Sequence, residues 1–234
     1  MLSQIKKDLQ ELANPQKAKV LARFFKTGRG EYGEGDVFLG ITVPEVRQVA
    51  RKHSNLSLSE IRKLLQSPIH EERLASLLIL VEKYDVSAAA AKKEIFDFYI
   101  ANAKRVNNWD LVDLSAHRIV GRQLIKHGKK EKSILQKLAK SENLWERRIT
   151  IVATYEFIRN KQFDYTFKIS QMLLNDRHDL IHKATGWMLR EVGKRDQEAE
   201  EKFLRKCFRQ MPRTMLRYAI ERFSQDKRRS YLRK

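Results

Sequence analysis

The sequence predicts an all-α chain of stacked helical pairs, on three observations. Helix-breaking residues are scarce, with nine glycines and four prolines among 234 residues. Five of those glycines fall between Gly28 and Gly40, so one irregular segment stands against helical pattern nearly everywhere else. Apolar residues recur at helical spacing in segment after segment. Several segments also share a template, a polar or charged first turn followed by a long apolar stripe. It is seen in Glu71-Glu72-Arg73-Leu74-Ala75, Trp145-Glu146-Arg147-Arg148-Ile149 and Ile181-His182-Lys183-Ala184-Thr185.

The template also sets a period. Arg148 lies 75 residues after Arg73, and Lys183 lies 35 after Arg148. A two-helix unit of about 35–38 residues fits both intervals and matches HEAT-like helical repeats. Such pairs bury their apolar faces only by stacking on one another, which predicts a curved solenoid with a concave surface. One domain over residues 1–234 is expected.

Taken in order, Ile5 to Leu12 is a short amphipathic stretch, and Asn14-Pro15 opens a second helix that runs to Phe25. Pro15 suits a first helical position, where its missing N–H costs nothing. Residues 27–37 form a Gly-rich insertion, a loop or hairpin whose plain reading is a flexible surface segment. It lacks the Gly-Lys-Ser/Thr ending of a phosphate loop and carries acidic residues where phosphate would sit. Phe38-Leu39-Gly40-Ile41 returns to the core, and Thr42 with Glu45 forms a capping box around Pro44. Helices are then expected over Pro44–His53, Ser57–Gln66, His70–Tyr84, Ser87–Lys104, Asn108–His127 and Lys130–Ser141. The series continues with Leu144–Asn160, Phe163–Asn175, Leu180–Lys194, Ala199–Gln210 and Arg213–Ser224. A basic tail, 226–234, extends the last of them.

Composition narrows the partner. There are 48 Lys+Arg against 29 Asp+Glu, a formal charge of +19, with a pI near 10.0. That excess points to a polyanion. Because it is mixed with 42% hydrophobic residues, it describes a folded domain with a basic face, not a disordered tail. A concave basic groove would seat duplex DNA or RNA. The chain shows no apolar run long enough to span a membrane and no lipidation motif, and Met1 to Gln10 lacks the apolar core of a secretory signal. Cys207 is the single cysteine, and neither it nor the six histidines show zinc-like spacing. No metal or cofactor is expected. A cytoplasmic, nucleoid-associated monomer is the reading.

The most informative stretch is Asn107-Asn108-Trp109-Asp110-Leu111-Val112-Asp113-Leu114. It reads as a helix start capped by Asn107 or Asn108, with acidic residues in the first turns where the helix dipole favours them. Trp109 and Asp113 are four apart and share a face. A π-face beside a carboxylate suits a cationic target. On spacing alone, though, Trp109 fits a packed aromatic better than a functional one, and Asp113 a solvated or ion-paired carboxylate. Trp145 with Arg148, and Trp187 with Arg190, repeat an aromatic-to-guanidinium spacing that packing or a local cation–π contact also explains.

Trp109-Asp110-Leu111-Val112-Asp113, Asn143-Leu144-Trp145-Glu146-Arg147-Arg148 and Ala184-Thr185-Gly186-Trp187-Met188-Leu189-Arg190-Glu191 resemble segments of the bacterial AlkD-like DNA alkylation repair proteins. These are HEAT-like-repeat DNA glycosylases. Phe38 to Ile41 with Pro44 matches as well, so the resemblance covers nearly the whole chain. It implies hydrolysis of the N-glycosyl bond of N3- or N7-alkylated purines in double-stranded DNA, without a base-flipping pocket. Asp113 matches the family's catalytic carboxylate, and Trp109 and Trp187 match its two tryptophans. Arg148 matches a residue that clamps the DNA backbone, with Arg190, Lys183 and Arg147 as further DNA-binding candidates.

Two features depart from the family's pattern. The Gly28–Gly35 insertion is not part of it, and Phe24 and Phe25 stand where a tyrosine is expected, so a hydroxyl contact is missing. An inserted segment beside the groove would suit a non-catalytic binder of branched or distorted DNA, and a helical protein-interaction scaffold is a third reading. The retained Trp109, Asp113, Arg148 and Trp187 favour the glycosylase. A pure DNA binder has little use for a carboxylate that repels phosphate.

Overall fold

The computed structural model describes residues 1–126 and 128–233, so the expected helix end at His127 and the last tail residue, Lys234, lie outside it. The chain divides into two compact units, Met1–Ser115 and Ala116–Lys234. The described residues contain helices and no strand. One isolated parallel bridge joins Val37 to Ile69. None of these helices is long and apolar enough to cross a membrane.

The first unit holds α1 (Leu2–Glu11), α2 (Pro15–Phe24), α3 (Val43–Lys52), α4 (Leu58–Leu65), α5 (His70–Val86), α6 (Ala89–Ala101) and most of α7 (Trp109–Ala116). Local chemistry starts them as expected. Asn14 accepts the Lys17 N–H ahead of Pro15, and the Thr42/Glu45 and Ser57/Glu60 pairs form capping boxes. Helix α5 is the hub, packed against α1, α3, α4 and α6. Surrounded in this way, it buries the 17-residue helix on nearly every side, His70, Glu71, Glu72 and Arg73 included.

The insertion is a series of turns, not a hairpin. Glu31 and Glu34 fold back to accept the N–H groups of Gly28 and Gly30, at 2.9 and 2.8 Å. Its exit is fixed by Glu71, whose carboxylate accepts the N–H groups of Leu39, Gly40 and Ile41 at 2.9, 2.8 and 3.2 Å. Gly40 has φ +86°, and a Cβ there would sit 2.2 Å from the Asn14 carbonyl oxygen. Only glycine fits both the left-handed backbone and that approach.

The second unit begins with a π-helical turn, His117–Gly121, continued by α8 (Arg122–Ile125) and α9 (Lys129–Ala139). It continues through α10 (Leu144–Arg159), α11 (Asp164–Met172), α12 (Asp179–Gly193), α13 (Gln197–Cys207) and α14 (Arg213–Ala219). Helix α10 packs on α9, α11 and α12, and α12 on α13 and α14. Each long helix thus touches its sequence neighbours and its next-but-one, the stepwise packing of a helical repeat. The basic tail is not an extension of α14. A 3₁₀ turn, Ile220–Arg222, ends that helix, and Ser224 caps a separate α15 (Gln225–Leu232).

At Gly186 α12 and α14 approach closely. A Cβ there would lie 2.4 Å from the Met215 carbonyl oxygen and 2.5 Å from the Tyr218 Cβ. Gly186→Ala should therefore force the helices apart and lower stability by about 1–3 kcal/mol, the usual cost of overpacking. Denaturant unfolding at constant m-value would measure it, and an unchanged midpoint would remove this contact from the account.

Candidate functional site

In the first unit the helix start predicted at Asn107–Leu114 forms as α7, and Asn108 is its cap. The Asn108 Oδ1 accepts the Trp109 N–H at 2.8 Å. Trp109 is partly exposed and leans on an aromatic ladder. It stacks on Phe25 at 5.1 Å and 16°, Phe25 stacks on Phe38 at 5.0 Å and 21°, and Phe38 stacks on the His70 imidazole at 4.5 Å and 21°. Phe24 meets Trp109 edge-on at 5.9 Å and is itself exposed. The two phenylalanines that replace the expected tyrosine are therefore the platform for the indole. One turn on, Asp113 is partly exposed on the same helix. Its charge adds to burial in raising the phenol pKa of Tyr99, whose hydroxyl is bonded to Ser115 at 2.8 Å.

Beneath the ladder lies a buried charge network. Asp36, at the end of the insertion, pairs with Arg73 at 2.7 Å and accepts hydrogen bonds from His70 at 3.3 Å and Asn108 at 3.2 Å. The other nitrogen of His70, Nε2, bonds Asp110 at 2.8 Å. Burial opposes charge on this histidine, but the charge and hydrogen bond of Asp110, with Asp36 behind them, overcome it and raise the pKa to about 9. For Asp36, burial is likewise outweighed by His70 and Arg73, and its pKa is lowered. Asp36 and Asp110 flank an imidazolium, and they lock the insertion to both residues that bracket Trp109.

The shift has a measurable consequence. A folded-state pKa above the ordinary 6.5 means that the protonated histidine stabilises the fold. That contribution is complete below about pH 6.5 and is lost as pH rises through about 9, amounting to up to about 3 kcal/mol. Urea midpoints should fall across that alkaline window, and the fall should flatten in His70→Asn. An alkaline limb identical in both proteins would refute the imidazolium.

In the second unit Trp187 sits partly exposed on α12, near Tyr155 at 6.3 Å between ring centres. His117, on the π-helical turn, packs edge-on against Tyr155 at 5.3 Å. Burial, then the charges of Arg118, Arg122 and Arg159, lower its pKa to about 4, so it is neutral there. The basic candidates are all engaged by the protein. Arg148 is 4% exposed and donates to the Leu180 carbonyl at 2.6 Å. Arg147 pairs with Asp176 at 2.6 Å and donates to the carbonyls of Ser141 and Glu142, each at 2.9 Å. Lys183 pairs with Asp179 at 2.7 Å across one helical turn, and Arg190 pairs with Glu221.

Trp109 and Asp113 thus belong to the first unit, and Trp187, Arg147, Arg148, Lys183 and Arg190 to the second. Sequence reasoning missed Asp36, His70, Arg73 and Asp110 as a set. The usable signal was four consecutive ionisable residues, His70 to Arg73, opening a strongly apolar helix.

A model of the family described as DNA alkylation repair enzyme matches residues 5–223 of the chain. A solved structure named as a predicted DNA alkylation repair enzyme from Enterococcus faecalis superposes with a TM-score of 0.70. It is 16% identical, and the match covers 91% of this chain and 97% of that one, a likeness of fold. No curated protein matches the sequence.

Proposed function

The chain belongs to the DNA alkylation repair enzyme family, and from that premise we propose that it is a monofunctional DNA glycosylase. It hydrolyses the N-glycosyl bond of N3- or N7-alkylated purines in duplex DNA and leaves an abasic site. The observation that carries this reading is the pairing on α7 of a partly exposed indole, braced by an aromatic ladder, with a partly exposed carboxylate one turn later.

The chemistry asks for little more. Alkylation at N3 or N7 makes the base cationic, so the C1′–N bond breaks with its electron pair passing to the ring nitrogen, and the base leaves neutral. Positive charge develops on the deoxyribose, where the Asp113 carboxylate stabilises it. Water adds at C1′ and gives its proton to Asp113 or to solvent. Stabilisation that exists only in the transition state is what accelerates the step. Trp109 and Trp187 would face the cationic nucleotide, at about 0.5–2 kcal/mol each where desolvated. Arg148, Arg147, Lys183 and Arg190 are the proposed backbone contacts. With Arg148 held by Leu180, its part would be to fix the start of α12 as much as to touch phosphate.

The test is direct. The full chain, incubated with methylated duplex DNA, should release free methylated purine without added metal. Its DNA affinity should fall about 10³-fold or more between 50 and 200 mM salt if six or more phosphates are contacted. Salt-dependent binding without release would leave the non-catalytic DNA binder. Salt-independent or absent binding would leave the scaffold.

A further inference from the structure

The second unit contains a cleft of about 820 Å³ that the catalytic account does not use. Its lining comes from α9, the turn between α10 and α11, α11 itself and α13. The volume falls in the range of small-molecule sites, about 300–1,000 Å³. It shares no residue with the candidate site. Arg147 and Arg148 open α10, whereas Lys161 follows the end of that helix, about 16 Å or more along its axis.

Two kinds of group line the cleft. Phe163, Tyr165 and Phe167 are partly exposed rings, and Phe167 stacks on Phe203 at 4.9 Å and 11°. Lys132, Lys161, Lys202 and Lys206 are the cations, against one carboxylate, Asp164, so the lining carries a surplus of three positive charges. The Lys132 ammonium lies 5.3 Å from the centre of the Tyr165 ring, which puts one of these charges on the aromatic wall. Among the described residues none of the four lysines forms an ion pair, whereas Arg147, Lys183 and Arg190 all do.

Lys161 adds a backbone observation. It follows the Asn160 cap of α10 with φ +57°, and the Gln162 N–H returns to the Phe157 carbonyl at 2.9 Å. That is the left-handed position after a helix, where glycine costs least. A lysine is held there against backbone preference, and its side chain lines the cleft. Flat rings beside unpaired ammonium groups select a ligand with a π-face and a separate negative charge. A nucleotide has both, a base to stack and a phosphate that lysine engages as a point charge. Carboxylate ligands are matched better by the arginine fork, and among the described residues the lining holds no arginine.

We propose that this cleft binds a nucleotide, its base on the exposed rings and its phosphate among Lys161, Lys202 and Lys206. The inference goes beyond the glycosylase reading and does not rest on it. A free nucleoside monophosphate and an unpaired strand present the same chemistry, and the test separates them.

Titration of the full chain with adenosine 5′-monophosphate, adenosine and inorganic phosphate is that test. Saturable binding of the monophosphate at one site is expected, with each half-ligand at least about tenfold weaker, because stacking and charge act together. Lys161→Gly should weaken the monophosphate about fivefold or more by removing one charge-assisted contact, while the unfolding midpoint holds or rises. Lys202→Glu, at an exposed position on α13, should weaken it at least as much. Lys168→Glu, exposed on α11 outside the lining, should bind as the parent does. An oligodeoxyadenylate of about six nucleotides that binds more tightly than the monophosphate, with the same loss in Lys161→Gly, makes an unpaired strand the occupant. Equal or weaker binding makes it the free nucleotide. Absent binding, inorganic phosphate as tight as the monophosphate, or unchanged affinity in Lys161→Gly and Lys202→Glu overturns the proposal. An equal loss in Lys168→Glu does so too, by reducing the effect to diffuse charge. So does a peptide of phenylalanine and aspartate that displaces the monophosphate at lower concentration, which would make the cleft a protein dock.

Discussion

Asp113→Asn should lower the rate of methylpurine release by about 10²–10³-fold, the usual effect of removing one preorganised charge-stabilising group from an active site. Binding to alkylated duplex should persist. Asparagine is isosteric and remains polar, and Asp113 stands on the partly exposed side of α7, outside the buried network. Loss of the negative charge should, if anything, tighten binding to phosphate. The split between a lost rate and a retained affinity separates a transition-state role from a structural one. A variant that excises at the parental rate would remove Asp113 from the mechanism and leave the tryptophans without their partner. A variant that loses affinity and stability together would assign the carboxylate to the fold.

Much of the fold was legible because its causes are local. Asn14 before Pro15, Thr42 with Glu45 and Ser57 with Glu60 each cap the helix that follows them. The Trp109–Asp113 face follows from helical periodicity alone. What was not legible depends on partners far apart in sequence. Asp36 meets His70 and Asn108 across 34 and 72 positions, and His70 meets Asp110 across 40. Read locally, the charged turn of α5 is a solvated helix start and the glycine-rich segment a loose surface loop. Their mutual neutralisation is what allows the Asp36 carboxylate, His70 and Arg73 to be buried together. The tail was misjudged for a more local reason, since Ser224 was read as a helix end when it caps the next helix, and nothing in the apolar pattern marks the 3₁₀ turn that breaks α14 ahead of it. The π-helical turn at His117–Gly121 has no simple pattern, although Gly121 lies against the Ala153 carbonyl, where a Cβ would come within 2.4 Å. Arg148 shows the limit of reading a side chain by type. A guanidinium at a helix start suits phosphate, yet here it is buried on the Leu180 carbonyl.

Asp36→Ala should be the most destabilising single change at the site, at about 3–5 kcal/mol, the cost of stripping one partner from a buried ion pair. Arg73 loses its 2.7 Å partner and His70 loses one of two acceptors, both below 5% side-chain exposure. The histidine's remaining neighbour, Asp110, cannot serve both cations. Asn108 loses its hold on the insertion at the residue that caps α7, so the change should also reach Trp109 as a shift in indole emission. A companion substitution tells the charge from the packing. Arg73→Met removes the other buried charge, and Asp36→Ala with Arg73→Met should be less damaged than the sum of the two singles, because no unpaired guanidinium remains. If Asp36→Ala costs under about 1 kcal/mol, within the range of an exposed pair, the insertion is not latched to α7. If it costs the expected amount while a shortened Gly28–Gly35 segment that keeps Asp36 costs little, the glycines serve only to carry one carboxylate from the surface to the helix that presents Trp109.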